Sequence, residues 1–350
     1  MPDLKNLTRR PEFAAFVGTL FVFIFFGYFG WPTFTSVLVT AGWLNVAAEL
    51  GLIALPVALV MIAGHLDLSV GSVLAAGAMT YAILTGHLGL PDWIGLPAGL
   101  AMGTFIGFIT GNIVVRTGLH SFIVSLAMLF AVRGLVFGIT RLTTSTVLVA
   151  VKVDPWVRSV FGGRIWKTYE MAILFFVGMA LVVSWILYKT KYGNWVFALG
   201  GDEISARAAG VPVERLTIWL FMGSGFGAAL LGVIQVALYG SAQVSAGQSY
   251  VFYSIIAVVV GGVLLTGGYG SPVGVIFGTM TFAIVSQGIY STEWDSDWAS
   301  LILGLLLLIA VLANNTFRRL ALSGGEKPKE KALATDQVPD EALEQEVSNV

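Results

Sequence analysis

The chain has 350 residues, 57% of them hydrophobic and 11% charged, against about 25% charged in ordinary globular proteins. It has no cysteine, and its three histidines, His65, His87 and His120, are scattered; this excludes disulfides, thiolate metal sites, a cysteine nucleophile and metal-ligand histidine spacing. The net charge of -1 is uneven, with three lysines against seven acids in residues 321–350 and sixteen basic against thirteen acidic residues before them, a balance that gives no basic stripe for nucleic acid.

Crossing a ~30 Å hydrocarbon layer takes about 20 mostly apolar residues. The sequence predicts an all-α, polytopic membrane protein of about ten transmembrane helices, near 13–31, 44–63, 69–85, 93–115, 121–139, 171–188, 216–238, 254–265, 272–290 and 298–314. Lys5, Arg9 and Arg10 precede the first run, but no small-x-small cleavage site follows. The first span is therefore read as a retained helix, and Pro11-Glu12 argues against a twin-arginine signal. With the N-terminus inside, thirteen basic residues flank the inner ends and five, Arg141, Lys152, Arg158, Arg164 and Lys167, lie in one long outer loop. The excess predicts cytoplasmic N- and C-termini. Residues 1–320 form the membrane domain, and the charged segment 321–350 reads as a disordered cytoplasmic tail.

The second span ends in a break, Gly64-His65-Leu66-Asp67-Leu68-Ser69-Val70-Gly71-Ser72. Here Asp67 or Ser69 can cap the third span by accepting from its free amides. The alternative is a broken helix whose end faces a permeation path. Within the fourth span Gly99, Gly103, Gly107 and Gly111 recur every fourth residue, which bares one helix face so that another helix can approach closely. Gly223/Gly227 and Gly274/Gly278 repeat the spacing. The segments 77–83 and 278–284 share five of seven residues, as a parallel internal repeat requires.

Ionisable groups inside spans are costly, roughly 2.5–3.5 kcal/mol at mid-membrane, and so call for a partner. Glu49 and Arg133 lie at similar depths, about 7–8 and 9 Å from the outer ends of their spans at helical rise, and are expected to pair. The neutral polar residues Asn112, Ser125, Gln235 and Gln287 serve as interhelical hydrogen-bonding groups or as contacts for an uncharged, hydroxylated cargo. In the long inner loop 191–215, Asp202 can cap a short helix from Glu203 to Ala209, Gly210 can end it, and Pro212 can open the next.

Three stretches carry a resemblance: the break around Asp67 and Ser69; Ser121-Phe122-Ile123-Val124-Ser125-Leu126 with Arg133-Gly134; and Gly200-Gly201-Asp202 followed by Ala206-Arg207 and Gly210-Val211. Together they resemble the membrane subunits of bacterial sugar ABC importers, of the ribose, xylose, arabinose and galactose class. The resemblance covers about residues 40 to 320; His65 departs from the glycine usual there. It implies that 200–213 is a coupling helix docking on a separate ATPase, with Asp202, Glu203, Arg207 and Gly210 at that contact. It also implies a soluble binding protein outside the cell and a second permease chain, identical or not, in the plasma (inner) membrane. Glu49, Asp67, Ser69, Ser125 and Arg133 are the candidate path or intramembrane polar residues.

No Gly-x-x-x-x-Gly-Lys-Ser/Thr loop occurs, so the chain is expected to be no enzyme and to hold no cofactor, ATP being used by the partner. Other cargoes remain open: a furanosyl autoinducer, a nucleoside or a branched-chain amino acid. So does an ion-coupled secondary transporter using Glu49 and Asp67 as coupling carboxylates. A membrane enzyme is the third reading, lacking any catalytic cluster.

Overall fold

A computed structural model describes residues 11–292, 294–298, 300–302, 304, 305 and 308, all within one compact unit, Met1–Val311. Most of the tenth expected span and all of the 321–350 tail lie outside the described residues.

The helices follow the apolar runs. They are α1 (Pro11–Phe29), α2 (Val37–Ile62), α3 (Val70–Ala82, continued by a π-turn to His87), α4 (Asp92–Thr117) and α5 (Ser121–Thr144). After strand β1 (Leu148–Ala150) come α6 (Pro155–Phe161), the hairpin β2 (Arg164–Ile165) and β3 (Tyr169–Glu170), α7 (Ala172–Lys189), α8 (Lys191–Gly201), α9 (Glu203–Ala208) and α10 (Val213–Tyr239). Strand β4 (Ser241–Gln243), α11 (Tyr250–Val260) and α12 (Pro272–Gly288) complete the series. Among the described residues, eight helices are long and apolar enough to cross a membrane. The expected eighth span is the exception. Its helix, α11, has 11 residues, about 16 Å at helical rise, and is followed by the loop 261–271.

The centre is α2. Residues 47–62 are all buried, and the helix is apolar all round, as a helix surrounded by others must be. It packs against α7, α10, α11 and α12, while α4 lies chiefly on α10 and α3. The glycines at 99, 103, 107 and 111 set that contact. A Cβ on Gly107 would meet the Phe221 backbone, and one on Gly111 the Cα of Ile218. On the other side, Gly227 lies against the Leu52 carbonyl and the Pro56 ring. Pro56 has no N–H, so the Leu52 carbonyl lacks its helical partner, and at this level Gly227 lets α10 come close to α2. Gly223, by contrast, meets nothing within 4 Å; Gly225, two residues on, is the glycine that touches Gly103. The expected Gly223/Gly227 pair is therefore half right, because a glycine spacing does not say which way the face points. Gly77 and Gly278 each make a close approach, to Ala229 and to Ala257, and α3 and α12 run in the same direction from the end that carries the break.

Candidate coupling end and the polar clusters

The two ends of the bundle are built differently. At one end the chain breaks between α2 and α3. The Asp67 carboxylate is 2% exposed; its Oδ1 accepts from the Ser69 N–H (2.9 Å) and Ser69 Oγ (2.6 Å), and its Oδ2 accepts from Ser224 Oγ (2.7 Å). Asp67 thus closes an Asx turn on Ser69, ahead of the free amides of α3 that it was expected to cap, and ties the break to α10. Ser69 is the N-terminal flanking residue of α3, but its own side chain caps nothing. Leu66 N–H donates to Ser121 Oγ (3.0 Å), fastening the break to α5.

Backbone meets backbone beside these bonds. Gly64 adopts φ +85° and Gly267 φ +80°, and a Cβ on Gly267 would fall against Gly64. Gly268 N–H donates to the Ile62 carbonyl (2.8 Å). A Cβ on Gly200, near the end of α8, would collide with that same carbonyl and with Gly268 N. Three segments, the break, the end of α8 and the 261–271 loop, therefore meet with no side chain between them.

Immediately after Gly200 comes α9. Asp202 caps it, accepting from the Ser205 N–H (2.7 Å); the Ser205 hydroxyl first, and this amide second, hold the Asp202 carboxyl below its usual range. Gly210, at φ +82°, ends the turn, and α10 opens after Pro212. Arg207 donates to Glu203 (3.2 Å) and Glu214 (3.1 Å), all three exposed. Such exposed pairs are screened by solvent and add little to stability, so they orient α9 more than they stabilise it. A cleft of about 270 Å³ runs from His65 and His120 to Glu203, Arg207 and Thr217. His65 Nε2 is 3.3 Å from Thr217 Oγ1; burial holds this imidazole below its ordinary value, an effect Glu203 opposes and His120 reinforces.

At the opposite end carboxylates do the fastening. Glu49 Oε2 accepts from Tyr250 OH (2.6 Å) and Gln235 Nε2 (2.9 Å). It does not pair with Arg133, as equal depth suggested. Arg133 sits on α5, partly exposed, with its guanidinium 5.9 Å from the Phe137 ring. Depth supplies one coordinate of a residue in a bundle, and the helix azimuth supplies the other; α5 packs on α3 and α4, away from Glu49. Asp92, which sequence reading passed over as a loop residue, is 1% exposed. It accepts from Tyr81 OH (3.0 Å) and the Asp154 N–H (2.6 Å). Its signal was available: an acid at the first turn of a span, after Pro91. The β2–β3 hairpin is pinned by Asn45, which donates to the Thr168 carbonyl (3.1 Å) and accepts from the Glu170 N–H (3.0 Å). Burial, with Glu49 nearby, pushes the Glu170 carboxyl up to about 7.

Of the neutral polar residues, Gln235 bridges to Glu49 and Tyr250, whereas Ser125 and Asn112 bond within their own helices. Ser125, fully buried, donates to the Phe122 carbonyl, and Asn112 to the Phe108 carbonyl. Among the described residues, no three His, Asp or Glu side chains come together as a metal site.

A bundle of long apolar helices with a short, exposed, capped helix fastened to the break of its central hairpin defines a multi-pass membrane permease. The chain belongs to the family described as branched-chain amino acid transport system / permease component, which matches residues 39–311. It is 31% identical over 283 residues to the fructose import permease protein of Rhizobium meliloti, covering 79% of this chain and 78% of that one. It is 31% identical over 289 residues to the ribose import permease protein of Haemophilus influenzae (81% and 87% covered). It is 26% identical over 266 residues to the autoinducer 2 import system permease protein of Photorhabdus laumondii (76% and 80% covered). No solved structure matches the chain.

Proposed function

We propose that this chain is the permease subunit of an ATP-driven, binding-protein-dependent importer for a small sugar or polyol. The observation that carries the reading is the glycine junction, where Gly200 at the base of α9 lies directly on the Ile62 carbonyl at the break. Any displacement of α9 is passed to the α2–α3 hairpin without an intervening side chain to absorb it. The cargo class is supported by relatives named for fructose and ribose, and by the scarcity of charge inside the bundle.

In this reading the break end faces the cytoplasm, in accord with the sequence pattern that assigns thirteen of nineteen basic residues to the inner segments. A separate ATPase docks on Asp202, Glu203 and Arg207, and a solute-binding protein delivers cargo to the opposite end. A second permease chain, identical or a sister, completes the path. When the ATPase closes, α9 moves, the junction carries the motion to the break, and the glycine-faced helices α4 and α10 shift between two packings. This chain holds no cofactor of its own, ATP being spent by the partner.

The test is uptake into vesicles holding the permease, its ATPase and its binding protein. Accumulation that needs ATP and survives collapse of proton and sodium gradients supports the reading. Accumulation by the permease alone, abolished by ionophores, identifies an ion-coupled transporter and overturns it.

A further inference from the structure

Along α7 the outward residues Leu174, Val177, Leu181 and Trp185 form an apolar stripe at helical spacing, each about half exposed or more. A stripe of this kind, on a helix long enough to cross the layer, faces hydrocarbon. It leads down to the break end of the bundle, where its surroundings change from apolar to basic and aromatic.

There Lys189 and Lys191 are exposed. The Lys191 ammonium lies 5.6 Å from the Tyr192 ring and 5.2 Å from the Trp195 ring. Tyr192 also packs on Trp219 of α10, ring centroids 6.1 Å apart, and Trp219 is 58% exposed. Arg215, exposed, stands four residues before Trp219 and so on the same helix face. Among the described residues no carboxylate forms an ion pair with these cations. Among the described residues the ion pairs all involve Arg207, which engages both Glu203 and Glu214, and Asp202 is occupied as the cap of α9. The first turn of α8 contains no acid.

Trp and Tyr with exposed Lys and Arg at the end of an apolar stripe are the chemistry of a headgroup contact. The rings sit at the polar–apolar boundary, and uncompensated cations attract anionic lipid. We propose that Lys189, Lys191 and Arg215, framed by Tyr192, Trp195 and Trp219, bind the headgroup of one anionic phospholipid whose acyl chains lie along α7. Because Gly200 lies in the last turn of α8, an occupied site steadies the helix on which the junction is built. The proposal rests on the chain spanning a membrane and is independent of which solute it carries.

Native mass spectrometry of the full-length protein in detergent, titrated with dioleoyl phosphatidylglycerol or dioleoyl phosphatidylcholine, provides the test. Each basic residue at an anionic surface strengthens binding by roughly fivefold, so the wild type is expected to retain the first lipid at least tenfold more strongly. The Lys189→Gln/Lys191→Gln/Arg215→Gln protein should lose that preference while still binding both lipids. Equal retention of the two lipids by the wild type overturns the proposal without recourse to any variant. A preference that persists in the triple variant places the lipid elsewhere and overturns it too. Inorganic phosphate that displaces the bound phosphatidylglycerol at millimolar concentration marks a free-anion site, and also rules out this one.

Discussion

The break end and the opposite end of this bundle are fastened by different means. At the break, Gly64, Gly200, Gly267 and Gly268 let three segments touch backbone to backbone, with the Asp67 carboxylate buried beside them and Glu12 accepting from Ser271 Oγ at the start of α12. At the other end, Glu49, Asp92 and Glu170 hold loops and helix ends through side-chain or backbone hydrogen bonds. Backbone contact has no rotamers to absorb a push. Side-chain fastening has rotamers, and the buried Glu170 carboxyl beside the hairpin contact adds a titrating proton. The first construction suits an end that must transmit motion, the second an end that opens to admit a cargo.

The comparison breaks most visibly at the close helix contacts. Gly107→Ala forces a methyl into the Phe221 backbone and should cost about 1–3 kcal/mol or more, as overpacking does. Gly223→Ala, on a helix face with nothing within 4 Å, should change stability by less than about 0.5 kcal/mol. Thermal unfolding in detergent separates the two, and equal losses contradict the packing described.

Removing Asp67 comes next. Asp67→Ala strands the Ser69 N–H and leaves the Ser69 and Ser224 hydroxyls to find other acceptors, for a loss of about 2–3 kcal/mol. Asp67→Asn keeps an acceptor for the backbone amide and should lose about 1 kcal/mol. If the two variants unfold alike, the Asx-turn bond to Ser69 is not what holds the break.

A double-mutant cycle then sharpens the picture at the far end. Glu49→Gln with Tyr250→Phe should show a coupling of about 1 kcal/mol, whereas Glu49→Gln with Arg133→Gln should be additive within about 0.5 kcal/mol. Strong coupling to Arg133 would restore the ion pair that equal depth suggested.

The smallest effect is a pH dependence. The folded protein raises the Glu170 carboxyl from 4.5 to about 7, so folding favours its neutral form. Its contribution to docking the β2–β3 hairpin is full below about 4.5 and is lost as the pH rises through about 7. Hydrogen exchange of residues 164–170 should therefore indicate looser docking at pH 8 than at pH 5, after correction for intrinsic rates. Glu170→Gln should flatten that difference, and a wild-type hairpin equally protected at both pH values contradicts the assignment.

Much of this was legible in the sequence where the signal is local. Asp202, Gly210 and Pro212 delimit α9 because caps and left-handed turns act within a few residues. The glycines of α4 announce a close contact because their period matches one helix face. What depends on azimuth was not legible: Arg133 and Glu49 share a depth but not a side of the bundle, and Gly223 has the right spacing on the wrong face. Helix α8 was hidden by Gly193, Gly200 and Gly201, which lower intrinsic helix propensity. Two of these glycines are there for packing, Gly193 against the Leu187 backbone and Gly200 against Ile62. Tertiary contact overrides propensity at the very place where the chain is proposed to couple.

The most direct test of that coupling uses adjacent glycines. Gly200→Ala drives a methyl into the Ile62 carbonyl and the Gly268 amide, while Gly201→Ala meets nothing within 4 Å. In vesicles with the ATPase and binding protein, solute moved per ATP hydrolysed is the quantity to measure, on preparations that retain wild-type unfolding temperature and ATPase binding. Gly200→Ala should lower it by roughly tenfold or more, the equivalent of about 1.4 kcal/mol in coupling, and Gly201→Ala should leave it unchanged. A wild-type ratio in the folded, ATPase-bound Gly200→Ala protein would contradict the transmission of motion through this junction.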